Sequence, residues 1–308
     1  MSGARAELIE DGGAAAVDDQ FFRSRPFLEA EGATHTLRIE SDGGELLGPL
    51  IVRDVPGADA RDATSPYGYP GLAGAVAELD PAAVDWSATG LLSVFVRHTL
   101  GPAPLTGASE RNLVQIADPE LPPKSRPSDR RQVRRNLEAG YELQLVPGGE
   151  AGDQQRQGFL DVYEQTMRRA GAAAHYFFGD GYFERILRAP RTWLLLATAP
   201  GGTLAAASVA TVSDGYLHYY LSGSADTHLR DSPMKNVVAR LVEHAGELGL
   251  PLNLGGGIAP GDALEEFKRG FANRQLAWLT SEVICDPQRY EELSGGRETG
   301  GFFPAYRA

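Results

Sequence analysis

The sequence predicts an α/β chain of two domains, each a mixed, twisted sheet flanked by helices. Three observations carry that prediction. Segments with apolar residues at helical spacing alternate with short runs rich in β-branched and aromatic residues. In the second half the order is two helices, three strands, then helix, strand, helix, strand. A meander followed by a crossover helix and a parallel strand builds a sheet of mixed direction. The length of 308 residues exceeds one typical domain, and the turn-rich stretch 147–153 (PGGEAGD) is a candidate linker. It divides the chain into 1–148 and 149–308.

Taken in order, residues 1–30 suggest a loose start with one amphipathic segment around Phe21, Phe22 and Phe27. Leu37 to Glu40 and Glu45 to Val52 flank Ser41-Asp42-Gly43-Gly44, a hairpin signal. The stretch 65–71 (SPYGYPG) sets Tyr67 and Tyr69 among glycines and prolines. This gives an aromatic rim suited either to a ligand mouth or to plain loop packing. A helix-like AGAVAELD follows, then strands at Leu91–Arg97 and Asn112–Ala117. The next helix has Ser128 as N-cap and Gly140 at C′. Its pairs Arg130/Arg134 and Arg131/Arg135 are both spaced i,i+4, a basic cluster that is either a phosphate contact or a solvated face. After a strand at Tyr141–Val146, apolar residues from Phe159 to Ala170 recur at helical spacing until Gly171. Asp180 is placed as the cap of the following helix. Strands at Trp193–Ala199, Leu204–Val212 and Tyr216–Ser222 come next, and a helix capped by Ser232 with Pro233 at N1 closes at Gly249.

Composition narrows the function classes. Hydrophobic content of 42% and charged content of 23% suit a globular chain. No apolar run reaches the ~18 residues of a membrane span, and the acidic N-terminus lacks a signal-peptide core. The lone cysteine, Cys285, fits a reducing cytoplasm and lies at the end of an apolar strand, where a buried inert thiol is expected. A formal net charge of −12 argues against wrapping long nucleic acid. It leaves room for a local basic groove, because screening confines exposed charge to about 8–10 Å. The six histidines show no metal-ligand spacing, His218 alternates within a strand as a packing residue would, and neither a G-x-S-x-G elbow nor a Walker loop is present.

Residues 251–271 (PLNLGGGIAPGDALEEFKRGF) stand apart. A strand runs into three glycines, and a short helix follows whose start, Asp262 with Glu265, resembles a capping box. Only three of the 29 basic residues are lysines: Lys124, Lys235 and Lys268. Where arginine is the default cation, a lysine just past a glycine loop is a candidate for chemistry that needs a compact, rotatable ammonium. Gly255 and Gly256 either let a ligand approach the backbone or relieve a crowded strand end.

The element order, with SPYGYPG (65–71), RRQVRRNLEAGYEL (130–143), YEQTMRRAGAAAHYFFGDGYF (163–183), GYLHYYLSGS (215–224), LNLGGG (252–257), FKRGF (267–271) and FFPAYR (302–307), resembles the Fem-type (FemABX-like) aminoacyltransferases of the GNAT acyltransferase superfamily. The resemblance touches most of the chain from residue 65 onward. It implies two GNAT-like domains. With no sustained heptad segment, the long coiled-coil arm of some members is not expected. It also implies transfer of an amino acid from aminoacyl-tRNA, as co-substrate, to an amine of a peptidoglycan precursor or a peptidyl natural product. No metal, further cofactor or covalent intermediate is implied, and the small-molecule or lipid-linked amine is the second partner.

By the same resemblance, Lys268 and Phe267 match the family's Phe-Lys pair near the aminoacyl end, with Lys268 toward the oxyanion or the terminal phosphate or ribose. Tyr67, Tyr69, Tyr176 and Tyr220, with Arg168 or Arg169, are candidates for the acceptor, while Asp161, Glu164 and Asp226 are open as a general base. Arg130, Arg131, Arg134 and Arg135 are the candidate tRNA or phosphate contact. The alternative donor is acyl-CoA, in polysaccharide or natural-product modification, and a third reading is a non-catalytic binding module. Against acyl-CoA, the helix that begins in HLRDSPMKNVV (228–238) has Arg230 but lacks the glycines of the usual pyrophosphate loop, and Pro233 removes a donor N–H.

Overall fold

The structure, a computed structural model, describes residues 3–76, 78–297 and 301–308. The chain forms two compact units, one of Met1–Val17, Phe22–Arg111 and Ala277–Ala308, the other of Asp18–Phe21 and Asn112–Leu276.

In the first unit, strands β1 (Ala4–Ile9), β2 (His35–Ser41), β3 (Gly44–Asp54), β4 (Arg61–Thr64), β5 (Ala73–Gly74), β6 (Val84–Asp85) and β7 (Leu91–Arg97) form a mixed sheet with helix α1 (Arg25–Glu31). The β2–β3 hairpin pairs from His35–Leu50 to Ser41–Gly44, at the turn the sequence marks. β4 and β7 are parallel, and a C-terminal strand, Arg274–Ile284, pairs antiparallel with β7. Leu37, Ile39, Leu46, Leu50, Val94 and Val96 alternate inward to make the core.

Two expectations fail here. The N-terminal stretch is a strand, because its inward residues are Ala4 and Ala6, too small to register as a hydrophobic alternation. AGAVAELD is not helical; Ala73–Gly74 pairs with β3, and Gly74 sits at φ 158. Ala77 of that stretch lies outside the described residues.

The second unit follows the predicted order: β8 (Ser109–Ala117), α2 (Pro127–Glu138), β9 (Glu142–Pro147), α3 (Asp153–Arg169), α4 (Asp180–Leu187), β10 (Thr192–Thr198), β11 (Leu204–Ser213), β12 (Tyr216–Ser224), α5 (Met234–Leu248), β13 (Leu252–Gly255) and α6 (Ala263–Arg269). Its strands lie in the order β8-β13-β12-β11-β10-β9, and β12–β13 is the parallel pair. The expected boundary at 148/149 falls within this unit, since β9 pairs with β10 from Trp193–Pro147 to Thr198–Glu142. The 147–153 stretch is a tight turn, in which a Cβ on Gly148 would strike the Leu187 carbonyl.

On one sheet face, α5 buries Val237, Val238, Leu241 and Ala245 against Leu195, Val212, Leu217 and Leu252. On α3 and α4, Phe159, Tyr163 and Phe183 meet edge-to-face or tilted at 4.9–5.9 Å. α2 is held to α5 by polar contacts: Lys235 pairs with buried Asp129 at 2.9 Å, and Asn136 donates to Asn236 at 2.7 Å. Lys235 is thereby a structural cation. Cap positions are shifted from those predicted. α2 is capped by Arg126 ahead of Pro127, α4 by Gly179, and α5 by Pro233 after Ser232 at φ 49. Cys285 is partly buried, and burial pushes its thiol up to about 12, as an inert packing residue requires.

Two local features shape β12. The register with β11 slips between Leu221 and Tyr219, which makes Tyr220 a bulge residue and re-aims the tyrosine pair. Further along, α3 crosses so close that a Cβ on Gly223 would overlap the Val162 carbonyl and the Tyr163 nitrogen. Both are backbone atoms and neither can swing aside. Gly223→Ala is therefore expected to lower stability by about 1–3 kcal/mol in denaturant unfolding; an unchanged midpoint would show that α3 yields freely.

Candidate active site

The site begins where two strands part. β12 and β13 pair at Leu217–Leu252 and His218–Asn253, while the other edge of β13 pairs with β8 from Leu252–Ala117 to Gly255–Gln115. A polar relay fixes the parting point. Buried His218 donates from Nε2 to the Ser213 carbonyl at 3.1 Å and accepts at Nδ1 from Asn253 at 3.0 Å. Burial pulls its pKa down to about 4, so the ring is neutral and structural. Asn253 Oδ1 in turn accepts from the N–H of Gly255, which sits at φ 74, the left-handed region that favours glycine.

The three glycines are crowded rather than open. A Cβ on Gly256 would collide with the Asn112 side chain, and one on Gly257 with the Asp262 carboxylate. Asp262 collects N–H donors from Ile258 (2.7 Å), Ala259 (3.0 Å) and Glu265 (2.7 Å), which hold its carboxyl below the usual range. Glu265 reaches back to the Gly261 N–H at 2.7 Å, one residue earlier than a strict capping box. The loop is thus folded onto the start of α6.

Lys268 points from α6 to the inside of this loop. Its side chain is 8% exposed, and Nζ donates to the Gly256 carbonyl at 2.7 Å. Nζ lies 6.0 Å from the centre of the Tyr219 ring, at the outer range of a cation–π contact. Among the described residues no carboxylate forms an ion pair with it, and desolvation lowers its pKa from 10.5 to about 8. An ammonium has three donors and Gly256 takes one, so Lys268 is a compact, poorly solvated cation suited to an anion or a developing oxyanion. Tyr219 bonds Ser222 at 2.6 Å, and burial pushes its phenol up to about 12. Phe267 is half-buried, its ring 5.7 Å from that of Phe271.

The remaining candidates separate into groups. Tyr220 meets Tyr182 hydroxyl to hydroxyl at 2.9 Å and Phe21 edge-on at 5.4 Å. Arg169 pairs with Asp226 and contacts the Ser224 carbonyl at the end of β12, whereas Arg168 pairs along its own helix with Glu164. The inward arginine is Arg169. With Glu164 and Asp226 both in ion pairs and Asp161 bonded to Gln157, each carboxylate considered as a base is engaged. Tyr176 gives its carbonyl to the Tyr163 hydroxyl at 2.8 Å. Tyr67 and Tyr69 belong to the first unit. Tyr67 is 39% exposed with its N–H on Glu31, and Tyr69 packs edge-on between Phe22 and Trp278. The four arginines of α2 form two rows rather than one cluster: Arg130 and Arg134 line a cavity, while Arg131 and Arg135 do not.

Asn112, Tyr219 and Asn253 were not singled out from the sequence. Asn253, two residues before Gly255 in the LNLGGG stretch, carried a usable signal, because an Asn side chain commonly bonds the backbone N–H two residues on. Tyr219 carried none, since strand alternation alone does not locate a bulge. Among the described residues there is no group of three metal-ligating side chains, and no helix is long and apolar enough to cross a membrane.

Comparison with known proteins places this geometry. Residues 123–269 match the model of the acetyltransferase (GNAT) domain. No curated protein matches the sequence. Among solved structures, FemX superposes with a TM-score of 0.62 at 12% identity, covering 93% of this chain and 99% of its own. The C-terminal DUF2156 domain of a putative lysylphosphatidylglycerol synthetase from Agrobacterium fabrum gives 0.58 at 13% identity, over 88% of each chain. L-PGS from Bacillus licheniformis gives 0.52 at 11% identity, covering 82% of this chain and 84% of its own. The chain thus has a Fem-like GNAT fold, with the buried Lys268 and its glycine loop inside the stretch that matches the GNAT domain model.

Proposed function

We propose that this protein is an aminoacyltransferase that moves an amino acid from aminoacyl-tRNA to an amine of a peptidoglycan precursor or a peptidyl acceptor. The observation that carries the reading is the ammonium of Lys268, buried with no ion-paired carboxylate among the described residues and held by Gly256 where β12 and β13 part. Its place in the Phe-Lys pair of a Fem-like chain supports the same role.

The chemistry is aminolysis of an ester. The neutral acceptor amine attacks the aminoacyl carbonyl, the electron pair moves to the carbonyl oxygen, and the tetrahedral oxyanion faces Lys268. Collapse breaks the bond to the ribose oxygen, which leaves with the proton the amine gives up. The ester is already activated, so positioning and one preorganised cation supply most of the needed stabilisation. Phe267 shapes the aminoacyl pocket, and Arg169 and Tyr220 flank the acceptor side at the end of β12. Arg131 and Arg135, exposed on α2, are the row left for the phosphates of the acceptor end.

Acyl-CoA is the competing donor, favoured by the acetyltransferase model that residues 123–269 match. The start of α5 opposes it. Ser232 is left-handed, Pro233 has no N–H, and the N–H groups of Ser232, Lys235 and Asn236 are already bonded to the carbonyls of Leu229, Ser232 and Pro233. That helix start offers no nest of free amides to a pyrophosphate.

Incubation with charged tRNA and candidate amines should give an amide product that disappears on RNase pretreatment. Product that survives RNase, or that forms from acyl-CoA with saturable CoA binding, would assign the acyl-CoA donor instead. Lys268→Met should lower turnover by about 10²–10³-fold while leaving the thermal midpoint level or raised, since a buried charge is removed. Wild-type-like turnover in a folded Lys268→Met variant would exclude the role. The ammonium is charged below its folded pKa, so activity should decline as pH rises through about 8, and Lys268→Met should lack that limb. The same shift makes the folded state bind fewer protons than the unfolded chain between pH 8 and 10.5. Wild-type stability should therefore rise across that window, and that of Lys268→Met should not.

A further inference from the structure

The second unit carries a cavity of about 490 Å³ whose walls come from the segment 117–125, α2, α5 and Phe271. Nothing in the transferase chemistry uses it. Its size lies within the ~300–1,000 Å³ range of small-molecule sites. The apolar lining is Val133 and Leu137 from α2, Ala239 and Val242 from α5, with Phe271 and Leu121. Leu121 and Leu137 are 41% and 48% exposed and lie together on this cavity.

The charges around this apolar surface are not balanced. Lys124, Arg130 and Arg134 line it together with Asp118 and Glu243. Both acids are engaged elsewhere, Asp118 with Arg274 at 3.2 Å and Glu243 with Arg240 at 3.8 Å. Arg130 reaches only the carbonyl and hydroxyl of Ser125, both neutral. Among the described residues Lys124 and Arg134 have no acidic partner. The groove thus presents an apolar floor beside three cations with no anion to meet them, in a chain of net charge −12.

We propose that this groove binds a single-chain anionic amphiphile, taken up as a monomer, with its hydrocarbon body along Val133, Leu137, Val242 and Phe271 and its phosphate or carboxylate end against Lys124, Arg130 and Arg134. A neutral apolar ligand would leave the cations uncompensated, and a free phosphate would leave the leucines exposed. The two features line one cavity, so one molecule can satisfy both. The groove is not isolated from the candidate active site, since the Phe271 ring meets that of Phe267, beside Lys268. The inference does not rest on the choice of donor.

Titration of the full chain with decyl phosphate below its micellar concentration tests this by calorimetry. We expect saturable binding of one molecule, with decyl maltoside and inorganic phosphate each at least about tenfold weaker. Arg134→Glu and Leu137→Asp, both at exposed positions, should each weaken binding by about tenfold at an unchanged thermal midpoint. Arg188→Glu on α4 should not. Equal affinity for decyl maltoside, or unchanged binding in both groove variants, would overturn the proposal. So would binding to anionic vesicles with none to the monomer, or displacement of decyl phosphate by uncharged tRNA, which would give the groove to the RNA.

Discussion

The glycine loop and α6 are organised around one hydrogen bond, from the buried ammonium of Lys268 to the carbonyl of Gly256. A lysine out of water with no ion-paired carboxylate among the described residues is costly, and burial lowers its pKa to about 8. The charge of Asp262 opposes that fall, and the Gly256 carbonyl turned inward accepts one of the ammonium protons. Turning that carbonyl inward needs the left-handed Gly255, fixed by Asn253, and a Gly256 with no Cβ, packed under Asn112. The Asp262 cap then ties the loop to the helix that carries the lysine. Each sequence peculiarity of 251–271 answers to that single constraint.

The surrounding sheet changes its pairing and register close to the lysine. β12 and β13 share two registered pairs and then part, and the bulge at Tyr220 sends Tyr219 toward the cation and Tyr220 toward Tyr182. At the far end of β12, Gly223 lets α3 press its backbone onto the strand, which brings Arg169 and Asp226 together there. The start of α5 is bonded to α2 through Asn136 and Asp231 rather than left open for a pyrophosphate. The same α2–α5 pair lines the cavity that carries Val133, Leu137, Ala239 and Val242.

The order of helices and strands was legible because α3, α5 and the three-strand meander carry strong periodicity over long runs. β1 was not, since Ala4 and Ala6 give almost no hydrophobic contrast. Caps moved by a residue or two at α2, α4 and α5, where proline or glycine supplied the turn in place of the Ser or Asp beside it. The 147–153 stretch has linker composition yet is pinned within a unit by pairing on both sides, which composition cannot show. Lys268 could be found because lysine is rare here. The role of its glycines could not, because it depends on Asn112, far away in sequence. The arginine spacing on α2 was visible, but which row faces a cavity is decided by α5.

The central claim is that the Lys268 ammonium meets the reacting end of the donor. With three lysines in the chain, ¹³Cε-lysine labelling and the Lys268→Met spectrum allow its titration to be followed directly. In the free protein the midpoint should lie near 8. Binding a non-hydrolysable aminoacyl-RNA hairpin should raise it, because a phosphate or oxyanion beside Nζ favours the charged form. A hairpin that binds while the Lys268 midpoint stays where it was would contradict the account.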